Sequence, residues 1–166
     1  MMNKVFTILC PTDFSECSLN AIEYASRLGG KYRARLILFH VLNREDYEKL
    51  SPLDTEGKYQ REFVKEKLKS LQQTVVEESL PQGLESCSIE VREGKIVQET
   101  LSFAKEIGAD LIVVGTEGMN DLRSAYIGSR SSNLVEQCET DIMVIPRKVY
   151  FKRPRKLVYA SDYLEE

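Results

Sequence analysis

Short apolar runs alternate along this chain with amphipathic stretches, and this alternation constrains the fold more than any other feature. Four runs consist almost entirely of β-type hydrophobic residues, namely 5–10, 36–41, 111–114 and 142–145. Such runs are typical of strands covered on both faces. Helical spacing links the apolar residues between them, as in Leu19, Ile22, Ala25 and Leu28 and then in Val64, Leu68, Leu71 and Val75. The pattern predicts a parallel sheet with helices on both faces.

The ends of the predicted helices and the edges of the sheet are also visible in the sequence. We expect Gly29-Gly30 and residues 81–83 to stop the first two helices, and Gly94 to precede a third one. In this third helix the predicted buried residues include Ile96, Leu101 and Ala104, and a fourth helix is expected over residues 129–138. Residues 87–92 alternate strictly between apolar and polar, as in a half-buried edge strand.

Length and composition indicate one globular domain, on which local charged patches remain possible. The chain has 166 residues, a net charge of −3 and a pI near 5.4, which argues against a protein built to hold nucleic acid. Its apolar runs are too short to span a membrane and its start does not resemble a signal peptide, so we expect a cytoplasmic protein. The four cysteines are scattered, which predicts reduced thiols in or near the core rather than a zinc site.

The predicted domain covers residues 1–146, and residues 147–166 form a separate tail. Residues 147–156 contain basic residues and no acid, which favours a solvated linker over an anion or partner contact. Residues 157–163 then repeat the pattern of residues 8–14: an apolar strand, a small hydroxyl residue, an aspartate and an aromatic residue. This echo indicates the start of a second copy of the module.

Two segments at the carboxyl ends of predicted strands carry the candidate chemistry. Gly-Thr-Glu-Gly at residues 115–118 follows one apolar run, and Gly-Ser-Arg-Ser at 128–131 opens the last helix after nine intervening residues. Glycines let the backbone approach a ligand closely, and N–H groups at a helix N-terminus bind anions such as phosphate. Pro-Thr-Asp at 11–13 ends the first strand, where an open α/β sheet places its ligand crevice.

These motifs together resemble the ATP-binding members of the universal stress protein family over residues 4–146. The spaced glycine motif carries most of the likeness, together with Ile-Leu-Cys-Pro-Thr-Asp-Phe-Ser at 8–15, Leu-Phe-His-Val at 38–41 and Ala-Asp-Leu-Ile-Val-Val at 109–114. The resemblance implies an open five-stranded parallel sheet of the adenine nucleotide alpha hydrolase-like type, in the strand order 3-2-1-4-5.

The resemblance also implies ATP as the ligand and names residues for it, while leaving open whether Mg²⁺ accompanies the nucleotide. Asp13 and the backbone of Val41 would contact adenine, with Pro11 lining that pocket. The ribose and phosphates would lie against Gly115, Gly118, Gly128, Ser129, Arg130 and Ser131. Two residues depart from the family pattern: Glu117 stands where histidine is common, and Arg130 where a small apolar residue is common. Arg130 would pair with phosphate or with Glu117.

Each of these assignments has a simpler structural alternative. The glycines would make a long turn, Asp13 would brace the turn or cap the first helix, and His40 is expected to be a packed residue rather than a catalytic one.

For function, the leading hypothesis is an ATP-binding module acting in stress response through assembly or partner contact. The alternatives are a slow ATPase or nucleotidyl-transfer enzyme, for which Glu117 and Asp121 are the acids within the loop, and an interaction module that has lost its nucleotide.

Assembly is predicted from the last apolar run. Ile142–Ile145 is apolar on both faces and is the natural second edge of the sheet, and an uncovered edge of this kind favours pairing with another strand. The sequence therefore predicts a homodimer through this edge, with the basic residues 147–156 near the junction.

Overall fold

The computed structural model describes residues 4–43, 58–80, 82–116, 129–156 and 158, and of residues 58, 59, 129 and 130 the backbone alone. The described residues form five strands and four helices, as the periodicity predicts. In chain order these are β1 (Thr7–Pro11), α1 (Glu16–Tyr32), β2 (Arg35–Leu42), α2 (Lys58–Ser79), β3 (Ser86–Glu93), α3 (Ile96–Ile107), β4 (Leu111–Gly115), α4 (Ser129–Gln137) and β5 (Ile142–Ile145).

The five strands form one parallel sheet in the order β3-β2-β1-β4-β5, which confirms the predicted strand order. Along the chain the sheet first grows outward from β1 through β2 to β3, and it then continues on the other side of β1 with β4 and β5. The strand order therefore reverses between β1 and β4, and connections on the two sides of this point leave the sheet in opposite directions.

Two apolar cores cover the two faces of the sheet. In β2, Leu36 and Leu38 belong to the core under α1 and α2, whereas Ile37 and Phe39 belong to the core under α3 and α4. Since successive side chains of a strand point to opposite faces, a strand buried on both faces must be apolar throughout. All four of these side chains are buried, which explains why the run 36–41 shows no alternation.

The edges of the sheet differ as the sequence predicts. On β3, Cys87 and Val91 are buried while Ser88 is exposed, because only one face of this strand is covered by a helix. On β5, Ile142, Met143 and Val144 are each partly exposed. Within the described part of the chain, no strand pairs with the outer side of β5.

Two expectations about α1 are wrong. Leu19 is 37% exposed, and Cys17 and Ser18 are the buried residues of the first turn instead. Gly29-Gly30 does not end the helix, because α1 continues to Tyr32 and Arg33 adopts the left-handed conformation that closes it. The two glycines instead allow the end of α1 to pack closely against the chain before β3. A Cβ on Gly29 would lie 2.8 Å from Cδ1 of Leu84, so the pair lets α1 approach the segment before β3 closely.

The chain after β5 runs back along α1 as a strap, here residues 146–154. Asn20 donates its side-chain amide to the carbonyls of Pro146 and Val149 at 3.2 Å each, and Arg147 forms an ion pair with Glu16. Farther along, the ring of Phe151 meets Tyr24 edge-on at 5.1 Å between centroids. The first part of the basic segment therefore packs on α1, while Lys152, Arg153, Arg155 and Lys156 are exposed.

Candidate functional site

The carboxyl ends of β1 and β4 meet at the reversal of strand order. Ile8 and Leu9 of β1 pair with Leu111 and Ile112 of β4, and both strands run toward the same edge of the sheet. Because the connections diverge there, the two strand ends leave a crevice outside the sheet. Pro11 and Gly115 end these two strands, so the fold brings together the two segments that the sequence singles out.

The turn after β1 is held by hydrogen bonds between its own polar groups. The backbone N–H of Thr12 donates to the Phe39 carbonyl at 2.8 Å, and the Thr12 hydroxyl accepts from the Phe14 N–H at 3.0 Å. Ser18 donates its hydroxyl hydrogen to the Ser15 carbonyl at 3.0 Å. The hydroxyl of Thr12, 2.9 Å from that of Ser18, must then donate its own hydrogen to Ser18. The hydroxyl groups of Thr12 and Ser18 thus both donate and accept hydrogen bonds within the turn.

Asp13 lies half-buried at the tip of this turn. One carboxylate oxygen accepts from the Ser15 N–H at 3.0 Å, and the hydroxyl of Ser15, the N-cap of α1, accepts from the Ser18 N–H at 3.2 Å. Asp13 therefore does brace the turn, while the helix cap itself is Ser15. Binding of a ligand by Asp13 stays a prediction.

Val41 lies at the same end of the sheet as Pro11. The register pairs Pro11 with Phe39, so Val41 extends β2 past the end of β1. Its side chain is buried in the core under α3 and α4, and its backbone pairs with Arg92 of β3. The Val41 backbone therefore lies near the crevice, and its contact with adenine stays a prediction.

Gly115 forms the other wall of the crevice, where an added side chain would clash with the first turn of α1. A Cβ on Gly115 would lie 2.8 Å from the carbonyl oxygen of Cys17 in the first turn of α1. Buried Ser131 donates its hydroxyl to the Gly115 carbonyl at 2.9 Å, which ties the first turn of α4 to the end of β4. The helix N-terminus, where backbone N–H groups lack helical partners, therefore lies beside Gly115.

The centre of the glycine motif lies outside the described residues. Gly118 and Gly128 belong to this part of the chain, as do Glu117 and Asp121, and the side chains of Ser129 and Arg130 are likewise not described. The predicted helix start at Ser129 is confirmed. The hydroxyl hydrogen of Ser131 is directed to Gly115 and not toward the crevice, so a phosphate contact of Ser131 would come from its backbone N–H.

His40 is a packed residue, as the sequence predicts, but its hydrogen bond to the turn after β1 was not predicted. Its Nδ1 lies 2.7 Å from the Thr12 carbonyl and its ring stacks on Phe14 with 5.0 Å between centroids. Burial lowers the pKa of His40 from its ordinary value near 6.5; Lys67 also lowers it, whereas the Thr12 carbonyl and Asp13 act in the opposite direction. The available signal was the position of His40 beside Val41 at the end of β2.

Metal sites, reactive thiols and other cavities are further places where the described part of the chain could carry chemistry. Its His, Cys, Asp and Glu residues form no group of three that could hold a metal ion. All four cysteines are free; three are buried and Cys138 is half-buried, as expected, and burial raises the pKa of the Cys87 thiol to about 12. A cavity of about 330 Å³, lined by Leu101, Gly108 and Cys138 among others, lies where α3 and α4 end, at the opposite end of the sheet from the crevice.

The family profile named "Universal stress protein family" matches residues 4–146, which is most of the chain. The chain belongs to the universal stress protein family. A relative, universal stress protein MJ0577 from Methanocaldococcus jannaschii, is 26% identical over 153 residues, with 85% of this chain and 94% of the relative covered. The expectation drawn from the motifs is thereby confirmed at the level of the family.

Solved universal stress proteins share the fold. UspA from Lactobacillus plantarum superimposes with a TM-score of 0.73 at 24% identity, covering 86% of this chain and 99% of that one. A universal stress protein solved in complex with cAMP superimposes with a TM-score of 0.60 at 20% identity, covering 88% and 100%. The sheet is thus of the adenine nucleotide alpha hydrolase-like type, as predicted. Among the described residues of this universal stress protein, no helix is long and apolar enough to cross a membrane.

Proposed function

We propose that this universal stress protein binds ATP in the crevice between β1 and β4 and acts as a nucleotide-dependent binding module in stress response. The observation that carries the proposal is the bond from Ser131 to the Gly115 carbonyl, 2.9 Å long. This bond holds the start of α4 at the carboxyl end of β4, opposite the Asp13 turn. Donors for an anion and an acceptor for a sugar or base then face one crevice.

Each part of the nucleotide has a proposed partner. Adenine and ribose lie against Pro11, Asp13 and the Val41 backbone, and the phosphates lie along the glycine motif and the first turn of α4. A universal stress protein of the same fold was solved in complex with cAMP, which is also an adenine nucleotide. Mg²⁺, if bound with ATP, would contact phosphate oxygens and water.

The first test separates ligand binding by Asp13 from its structural role. Asp13→Asn keeps an oxygen acceptor for the Ser15 N–H, which lies 3.0 Å away, but removes the negative charge. Losing a hydrogen bond to a charged group costs about 1.5–3 kcal/mol, so Asp13→Asn should weaken ATP roughly tenfold to a hundredfold at unchanged melting temperature. Calorimetry should give a larger loss for Asp13→Ala, which also removes the brace. ATP affinity equal to that of the unmodified chain in both variants would leave Asp13 with a structural role only.

The second test addresses the phosphates. A β-branched side chain at Gly118 would block close approach of the backbone, so Gly118→Val should abolish ATP binding in calorimetry. Gly108→Asn is the matched control: this glycine has a left-handed φ of +59° with nothing within 4 Å of an added Cβ, and asparagine tolerates that conformation. The control should bind normally. Unchanged ATP affinity in Gly118→Val would show that the glycine motif does not bind the phosphates. Competition with cAMP would show whether ATP is the preferred nucleotide.

We expect binding without appreciable turnover. Phosphoryl transfer needs positioned acids, metal ions and an activated nucleophile, and the loop sequence 116–128 contains the acids Glu117 and Asp121 but no histidine beside them that would activate water. A steady release of phosphate that disappears in Glu117→Gln would support the alternative of a slow ATPase. Release at the background rate in both proteins supports the binding module.

We propose that two copies of the chain pair through β5. The outer edge of this strand carries the partly exposed Met143 and Val144, and the strap leaves along α1 instead of covering it. Unpaired backbone groups beside apolar side chains favour strand addition about a twofold axis. Val144→Lys should therefore give monomers in analytical ultracentrifugation, while Ser88→Lys on the opposite edge should not. A monomeric unmodified chain at micromolar concentration would contradict the β5 dimer.

A further inference from the structure

His40 contacts the turn after β1 from the side of the sheet opposite to Val41. Side chains alternate along β2, and Leu38 and Leu42 belong to the core under α1 and α2, whereas Val41 belongs to the core under α3 and α4. His40 therefore faces the α1 and α2 side, where Phe14 is also packed. Its ring supports the turn that carries Asp13 from that side of the sheet.

The contact with Thr12 defines which nitrogen of His40 carries the hydrogen. Nδ1 lies 2.7 Å from the Thr12 carbonyl oxygen. A carbonyl only accepts hydrogen bonds, so Nδ1 must donate, and in the neutral ring Nε2 is then the nitrogen without hydrogen. A carbonyl adjacent to Asp13 is thereby held by a side chain from another strand.

Phe14 is the second group that His40 holds. Its φ is +62°, a left-handed conformation that is strained for a bulky side chain. Such a conformation persists only where the surroundings enforce it. Here the Phe14 ring stacks on His40 at 5.0 Å and lies 5.2 Å from the Lys67 ammonium, while its N–H donates to Thr12.

We propose that His40 is a positioning residue for the ATP crevice, holding the Thr12 carbonyl and the strained Phe14 so that Asp13 keeps the orientation the nucleotide needs. The inference rests on the proposed ATP binding. His40 is the one histidine of the chain. Its Nδ1 donates a directed hydrogen bond, which packing alone would not require.

The variants that test this role differ in one donor. In asparagine the side-chain nitrogen is one bond from Cγ, as Nδ1 is in histidine, so His40→Asn keeps the donor to Thr12. His40→Leu removes it. Val91→Ala serves as the matched control, because buried Val91 pairs with His40 in the sheet register and its truncation destabilises the same region. We choose conditions in which all four proteins are folded by circular dichroism.

ATP calorimetry is the first readout. One lost hydrogen bond corresponds to about a fivefold change in affinity, so His40→Leu should weaken ATP about fivefold to tenfold, and His40→Asn should restore it to within about twofold. Val91→Ala should bind ATP like the unmodified chain. ATP affinity in His40→Leu equal to that of the unmodified chain, or a loss of affinity in Val91→Ala as large as in His40→Leu, would overturn the inference.

Nuclear magnetic resonance provides readouts that do not depend on ATP. The ¹⁵N shifts of the imidazole should show the neutral Nδ1–H tautomer. Hydrogen exchange at the Phe14 and Ser15 amides should accelerate more in His40→Leu than in His40→Asn, because His40→Asn loses the ring stack but keeps the donor to Thr12. An Nε2–H tautomer, or equal exchange in all variants, would overturn the inference. If the unmodified chain binds no ATP, the proposed function fails, and the tautomer and exchange data still decide whether His40 holds the turn.

Discussion

The two walls of the crevice are built in different ways. The β1 wall is made of polar side chains that bond to one another, with Thr12 between Phe14 and Ser18 at 3.0 and 2.9 Å. The β4 wall depends on a missing side chain, since a Cβ on Gly115 would lie 2.8 Å from the Cys17 carbonyl oxygen. One wall is therefore specified by hydrogen bonds and the other by close packing.

This difference predicts how each wall responds to substitution. A hydrogen-bonded turn loses roughly the free energy of the bonds removed, and neighbouring members of the network couple. A close backbone contact has no flexible group that can move away, so an added side chain must shift a whole helix. We therefore expect larger losses of stability from the β4 wall.

The largest effect should come from Gly115→Val. Overpacking typically costs about 1–3 kcal/mol, and here the clash is with the backbone, so we expect about 3 kcal/mol or more in the free energy of unfolding by urea. Adding Cys17→Ala should not restore stability, because it removes the sulfur at 2.9 Å and leaves the carbonyl oxygen at 2.8 Å. Full restoration by the second change would show that the side chain, not the backbone, makes this wall.

Thr12→Val should have the next largest effect. Valine has nearly the same shape as threonine, but the Phe14 N–H loses its acceptor and the Ser18 hydroxyl loses its donor. An unsatisfied buried group lowers the free energy of unfolding by about 1–3 kcal/mol. A double-mutant cycle with Ser18→Ala should reveal a coupling energy of at least about 0.5 kcal/mol in the free energy of unfolding. Strictly additive changes would mean that the two hydroxyl groups do not form one network.

Ser131→Ala removes a hydrogen bond of the β4 wall. Its hydroxyl donates to the Gly115 carbonyl at 2.9 Å, and an ordinary hydrogen bond contributes about 0.5–1.5 kcal/mol. The loss in urea unfolding should be smaller than for Gly115→Val. A loss as large as that of the glycine variant would contradict the contrast between packing and hydrogen bonding at this wall.

The smallest effect should be the pH dependence contributed by His40, since the influences on it partly oppose one another. Its pKa in the folded protein is below the ordinary value near 6.5, with burial as the main cause. The unfolded chain therefore takes up the proton first, so the stability contributed by neutral His40 is complete above pH 6.5 and is lost as the pH falls below it. His40→Asn should show a weaker decline on acidification; an equal decline would exclude this contribution.

The elements could be predicted from the sequence because their periodicity reflects burial. The run Ile142–Ile145 is β5 with the same bounds, since polar segments on both sides of an apolar run leave little choice of where the strand begins and ends. Gly29-Gly30 misled the prediction because a glycine pair signals both a helix end and close packing, and the distant Leu84 determines which applies. Leu19 was misplaced for a similar reason: Cys17, which lies under Gly115, takes the buried position in that turn.

The candidate site was predictable in location but not in its internal bonds. Strand ends at 11–13 and 115 follow from the order of elements, which the sequence contains. The bond from His40 to Thr12 joins residues 28 positions apart, and the bond from Ser131 to Gly115 turns the hydroxyl away from the expected ligand. Both depend on the registers of β2 and α4 against their neighbours, and no local pattern encodes such a register.

We propose that the crevice between the two walls holds an adenine nucleotide. Native mass spectrometry of the full chain with ATP tests it most directly, because ligand mass and assembly state are measured together. We expect one ATP per chain on a dimer, with the nucleotide lost in Gly118→Val and retained in Gly108→Asn. A chain that carries no nucleotide at millimolar ATP, or equal occupancy in both glycine variants, would contradict it.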